Sequence, residues 1–172
     1  MKILLLISLV CFFTSCSMVY FEEPQPAGKK NIDELPKKLH GAFMSQNDDG
    51  TKLVINKDQI HYFHADEKEI NLKLNKNLIV KKYKGEYYVN VKDEDNHYWG
   101  LYLLVPAGKK LIMKSSSLND DNLEKFQTIT NIKAYHSPEK DVKEYILNPT
   151  LKQLKNLMKD GFFMEADTLV KM

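Results

Sequence analysis

Between Leu39 and Ser115 the chain is a succession of short apolar runs, each broken after a few residues by turn-forming chemistry, and this rhythm leaves little choice of fold. Ile70, Leu72 and Leu74 alternate with Asn71 and Lys73, and Tyr87, Val89 and Val91 alternate with Tyr88, Asn90 and Lys92. That is the two-residue period of a strand with one buried face. Further runs rich in Val, Ile, Tyr and Phe cover 52–56, 59–64, 78–83, 98–105 and 109–114. Asn47-Asp48-Asp49-Gly50, Lys84-Gly85, Asp93 to Asn96 and Pro106-Ala107-Gly108 supply the turns between them. A parallel βαβ unit needs a crossover of roughly a dozen residues or more, and these gaps are too short. The spacing therefore predicts a mainly β domain, an antiparallel meander forming a small barrel or sandwich, with a lipocalin-like barrel as one form of it.

One run is apolar on both sides. Trp99, Leu101, Leu103 and Val105 share one face of their strand, while Tyr98, Tyr102 and Leu104 share the other. Such a strand is central and needs cover on its second face. The carboxyl-terminal segment offers that cover. Asn148-Pro149-Thr150 reads as a helix start, Leu151, Leu154, Leu157 and Met158 recur at helical spacing, and Gly161 reads as the stop, placing an α-helix at about 149–160. A second short helix is expected over 119–127, capped by Asn119 or Asp120.

Composition narrows the partners. All 25 basic residues are lysine, and the net charge is only +2. Without arginine the chain lacks the planar fork that grips phosphates and carboxylates in two parallel hydrogen bonds. No concentrated basic face of the kind nucleic acid requires is visible in the sequence. The two cysteines, Cys11 and Cys16, both precede the β region, so the domain holds itself together without a disulfide.

The amino terminus carries an address. After Lys2, residues Ile3 to Phe13 are apolar except Ser8. As a helix this run reaches only about 17 Å, short of a hydrocarbon core of about 30 Å. A cleavable signal is therefore expected, not a stable span. Phe13-Thr14-Ser15-Cys16 resembles a lipobox, the motif at which lipoprotein signal peptidase cuts before a cysteine. The resemblance implies cleavage between Ser15 and Cys16, with diacylglycerol and then a further acyl chain on Cys16; more than one chain makes anchoring stable.

Residues 16–36 are expected to form the lipidated cysteine and a flexible tether, because Glu22-Glu23-Pro24-Gln25-Pro26-Ala27-Gly28-Lys29-Lys30 combines prolines, a glycine and charges. The predicted organisation is a signal peptide at 1–15, this tether at 16–36, and one β-rich domain at 37–172. Phe21, Glu22, Pro24, Gln25 and Pro26, followed by Pro36, Lys37, Lys38, Leu39 and Gly41, resemble small β-rich lipoproteins of the Bacteroidota type. That resemblance implies a lipid anchor at the cell envelope, on the outer membrane facing either the periplasm or the surface. It implies no chemistry. The five-residue string Pro26 to Lys30 recurs at Pro106 to Lys110, without matching flanks.

No catalytic set stands out. There is no nucleophile elbow and no glycine-rich phosphate loop. His61 and His64, three apart on a strand, point to opposite faces and cannot share a metal, and the acidic clusters lack calcium-loop spacing. No cofactor or metal is expected. The aromatic residues concentrated in the middle strands, Tyr62, Tyr87, Tyr98, Trp99 and Tyr102 among them, are candidates for lining a ligand cavity. The expected function is a non-enzymatic interaction or accessory module of the envelope, held by its lipid and engaging an envelope protein. The alternatives are a lipocalin-like carrier of a small hydrophobic ligand and, without positive evidence, a hydrolytic enzyme.

Overall fold

The computed structural model describes residues 17–47, 50–64, 69–93, 95, 97–137 and 142–172. Its elements, in chain order, are β1 (Ser17–Phe21), a 3-10 turn (Lys37–Leu39), β2 (Gly41–Ser45), β3 (Lys52–Ile55), β4 (Gln59–Phe63), β5 (Ile70–Lys73), β6 (Leu78–Tyr83), β7 (Glu86–Lys92), β8 (Trp99–Ala107), β9 (Lys110–Ser116), α1 (Asp120–Gln127), β10 (Ile132–Ser137), β11 (Val142–Leu147), α2 (Leu151–Lys159) and β12 (Phe163–Lys171). The expected signal segment, the expected cleavage site at Ser15–Cys16 and part of the 47–50 and 93–96 turns lie outside the described residues.

Two antiparallel meanders, β2–β3–β4–β5 and β6–β7–β8–β9, form the body. Local sequence makes their turns. Tyr83 pairs with Glu86 around Lys84 (φ 49°) and Gly85 (φ 88°), the doubly positive pair that matches the twist of a two-residue hairpin. Ala107 pairs with Lys110 around Gly108 (φ 64°), and the matching glycine of the upstream string, Gly28 (φ 70°), also sits in a turn. The two copies of that string thus share a local use of glycine.

The last strand joins the meanders. β12 inserts antiparallel between β9 and β2, with Leu169 opposite both Leu111 and Ser45. On the other side the only link between β5 and β6 among the described residues is a bridge from Leu74 to Leu78, so the sheet does not close. It is nonetheless strongly bent, because side chains from all nine of these strands share one core: Phe43, Ile55, Ile60, Leu72, Val80, Tyr87, Leu104, Leu111 and Leu169 are among them. Alternation delivers this, since each strand turns every second side chain to the same face.

A second core lies on the opposite face of β7 and β8. Tyr88, Leu101 and Leu103 pack there against Phe21, Phe126, Tyr145, Leu147, Leu154, Leu157 and Phe162. The strand apolar on both faces is β8, and α2 is part of its cover. Helix α2 is framed by its sequence: Thr150 and Gln153 exchange side-chain-to-backbone bonds as a capping box, and Gly161 (φ 82°) ends it. Asn119 and Asn122 make the same reciprocal cap on α1.

Two expectations are corrected. The sheet is mixed, because β1 runs parallel to β11 from Ser17–Lys143 to Phe21–Leu147, while Phe21 also meets Trp99 of β8. And residues 17–36 are not a free spacer. Tyr20, Phe21, Gln25 and Leu35 are buried, and Asn31 bridges Lys81 along the outer edge of β6. The prolines and charges that suggest a solvated linker are instead satisfied by the body. The side chain of Asn90 accepts from Gln25 N–H (2.6 Å) and donates to Gln25 C=O (2.8 Å), and the Lys81 ammonium donates to the carbonyls of Pro24 (2.7 Å) and Pro26 (3.0 Å). Burial pulls the Lys81 pKa below its ordinary value, partly opposed by Glu23.

Candidate apolar cleft

The gap between β5 and β6 leaves the bent sheet with an open mouth, and a cleft of about 360 Å³ lies inside it. One wall is built from the β3–β4–β5 ladder, where Leu53 opposes Tyr62 and Tyr62 opposes Ile70, with Ile60 opposite Leu72 in the next row. The other wall comes from β7, β8 and β9, where Val89 opposes Tyr102, Leu104 opposes Met113, and Val91 opposes Gly100. Glycine at that last position puts no side chain opposite Val91 on the cleft face, which helps keep the space open.

Among the described residues the lining is hydrocarbon, one thioether and two phenol rings, with no His, Cys, Asp, Glu or Lys side chain in it. Every buried side-chain nitrogen or oxygen among the described residues has a hydrogen-bond partner. The cleft thus offers desolvation, worth about 0.8 kcal/mol per methylene removed from water. Its size falls in the range of roughly 300–1,000 Å³ typical of small-molecule sites. Ile70 (43% exposed) and Tyr102 (40%) stand at its mouth as large apolar groups in water.

The five aromatic candidates separate. Tyr62 and Tyr102 line the cleft. Tyr87 shares the inner face but is sealed in the core beneath the Lys38 ammonium, 5.2 Å from its ring. Trp99 is one residue out of phase with Gly100 and Tyr102, so it turns to the second core and lies under Lys92. Tyr98 precedes β8 and sits on the outer surface beside Tyr20, with ring centres 6.4 Å apart. There it borders a shallow depression with Tyr135, His136, Glu144 and Ile146. The aliphatic majority of the cleft lining was not singled out by sequence reasoning. Its signal was the same alternation of Ile70–Leu72 and Val89–Val91, but only the insertion of β12 between β9 and β2, with the bend of the sheet, brings the two walls together.

Two histidines make local contacts within the fold. His61 bonds Glu69 (3.1 Å), and His40 Nε2 bonds the Leu35 carbonyl oxygen (2.7 Å). Among the described residues no three of His, Cys, Asp and Glu converge as a metal set, and no helix is long and apolar enough to cross a membrane. No protein-family model, curated protein or solved structure matches this chain.

Proposed function

We propose that this protein is a membrane-anchored, non-enzymatic binding module of the cell envelope, acylated on Cys16 after cleavage behind Ser15, whose cleft takes up a small apolar ligand. The observation that carries the ligand reading is the half-open hydrocarbon cleft, with Ile70 and Tyr102 held at its mouth. Exposing such groups costs free energy in water, and a soluble domain that keeps them beside a formed cavity gains by covering them. The anchor rests on the lipobox-like Phe13-Thr14-Ser15-Cys16 after an apolar run too short to span a bilayer.

Titration with the neutral fluorophore N-phenyl-1-naphthylamine tests the ligand reading. Saturable binding is expected in the native protein. Ile70→Lys and Tyr102→Lys place an ammonium at the mouth, at positions exposed enough to tolerate it, and weaken binding by about tenfold or more, equivalent to about 1.4 kcal/mol. Met164→Lys, on an exposed side chain outside the cleft, leaves binding unchanged. Absence of saturable binding, or equal binding in all variants, refutes it. Metabolic labelling with an alkyne fatty acid tests the anchor: label lost in Cys16→Ala supports it, and an unlabelled native chain removes it.

A further inference from the structure

The structure removes the spacer that the sequence suggests, and that changes how an anchored domain meets its membrane. Ser17 is already the first residue of β1, registered against Lys143, and its hydroxyl donates to the carbonyl of Leu118. Cys16 is the next residue back along the chain, one peptide bond before β1. A lipid on Cys16 therefore holds the folded sheet itself against the bilayer.

The β10–β11–β1 layer has two faces. Its inner face, with Tyr145 and Leu147, belongs to the second core. Its outer face carries a cross-strand row in which Met18 opposes Glu144 and Glu144 opposes Tyr135. Met18 is 36% and Tyr135 52% exposed, two of the largest apolar side chains in water on this protein, and Met18 is only two residues from the anchor. At strand spacings of about 4.8 Å, Tyr135 lies about 10 Å across the sheet from Met18. Tyr20 and Tyr98 adjoin the row.

We propose that this outer face, from Met18 to Tyr135, lies directly on the lipid surface into which Cys16 is acylated, so that the domain is seated on the membrane and not suspended from it. The proposal rests on the lipid anchor of the preceding section. Tyrosine suits the position because its ring is apolar and its hydroxyl can stay with headgroups and water. On this face Lys133 pairs with Glu22 (2.7 Å), and the half-buried Glu144 carboxylate stands between Met18 and Tyr135. The seat is therefore amphipathic and suited to the interface, with Glu144 at headgroup level, and a net-neutral lipid such as phosphatidylcholine suits it better than an anionic one.

The test uses the full chain, produced in a bacterial host, purified and reconstituted in phosphatidylcholine vesicles. Nitroxide labels are placed at Tyr135→Cys and, six strands away in the sheet order, at Met44→Cys, an exposed site on β2. Collisions with oxygen, which concentrates in lipid, are compared with those of a water-soluble nickel chelate, and mass spectrometry of the amino-terminal peptide reports acylation. An acylated protein whose oxygen-to-nickel ratio at position 135 is at least double that at position 44 supports the proposal. An acylated protein with equal, aqueous ratios at both positions overturns the seat while leaving the anchor intact. A protein without acyl chains overturns both.

Discussion

Asn90→Ala puts the docking of the amino-terminal segment to its sharpest test. Asn90 is fully buried in β7, and its amide makes four bonds: it accepts from Gln25 N–H and donates to the carbonyls of Gln25, Ile79 (3.1 Å) and Tyr88 (3.2 Å). Truncation leaves the buried Gln25 N–H without its acceptor, at about 1–3 kcal/mol. The Gln25 carbonyl loses its donor too, and the vacated amide volume adds a packing loss. A total of about 3 kcal/mol is expected, a large fraction of the roughly 5–15 kcal/mol that stabilises an ordinary domain. With a urea slope of about 2 kcal/mol per M, the midpoint falls by about 1.5 M. Urea melts followed by Trp99 emission suit the measurement, because the single tryptophan packs in the second core, opposite Phe21 of β1. Amide exchange at Gln25, slow in the native protein, becomes fast in the variant. A change below about 0.5 kcal/mol, the usual range for surface substitutions, would refute the reasoning and return residues 17–36 to the role of a loose tether.

Three further outcomes follow from the same structure. The Tyr88 hydroxyl, buried and bonded to Met158 Sδ (2.9 Å) near Glu86, has its pKa pushed well above the ordinary tyrosine value, by desolvation first and by the Glu86 carboxylate second. The folded state thus holds this proton more tightly than the unfolded chain, stability is full below about pH 10 and falls as pH rises beyond it, and Tyr88→Phe flattens that decline in melts run from pH 8 to 11. Gly41 has φ 142°, and a Cβ there would lie 2.6 Å from Lys171 Cε. That lysine can shift but the backbone cannot, so Gly41→Ala costs about 1–3 kcal/mol by chemical denaturation. Leu157→Ala, emptying a fully buried site beneath α2, costs about 2–5 kcal/mol, whereas Lys159→Ala on the exposed face changes stability by less than about 0.5 kcal/mol.

Much of the architecture could be read from local chemistry. Two-residue alternation fixed β5 and β7, Lys84-Gly85 fixed the β6–β7 hairpin, and Asn148-Pro149-Thr150 with Gly161 framed α2. These depend on residues near one another in the chain, where hydrogen-bond reach and backbone preference decide the outcome. The two-faced β8 was also legible, because a strand apolar on both sides has to be covered twice.

Long-range pairing was not. β12 reads locally as scattered apolar residues, yet it joins the two meanders, since the unpaired edges of β2 and β9 both accept it. The segment Glu22 to Lys30 has the composition of a linker, and only Asn90 and Lys81, more than fifty residues further on, give its backbone the partners that make burial affordable. The cleft is the same kind of feature: its two walls are distant in sequence, and their separation is set by where the sheet stops pairing. Sequence alone determined the strand-forming chemistry, the helix caps and the apolar amino-terminal run with its cysteine. The tertiary structure alone decided which edges meet, what remains open between β5 and β6, and how closely the first strand follows Cys16, because each of those depends on hydrogen bonds and packing between residues that the chain keeps far apart.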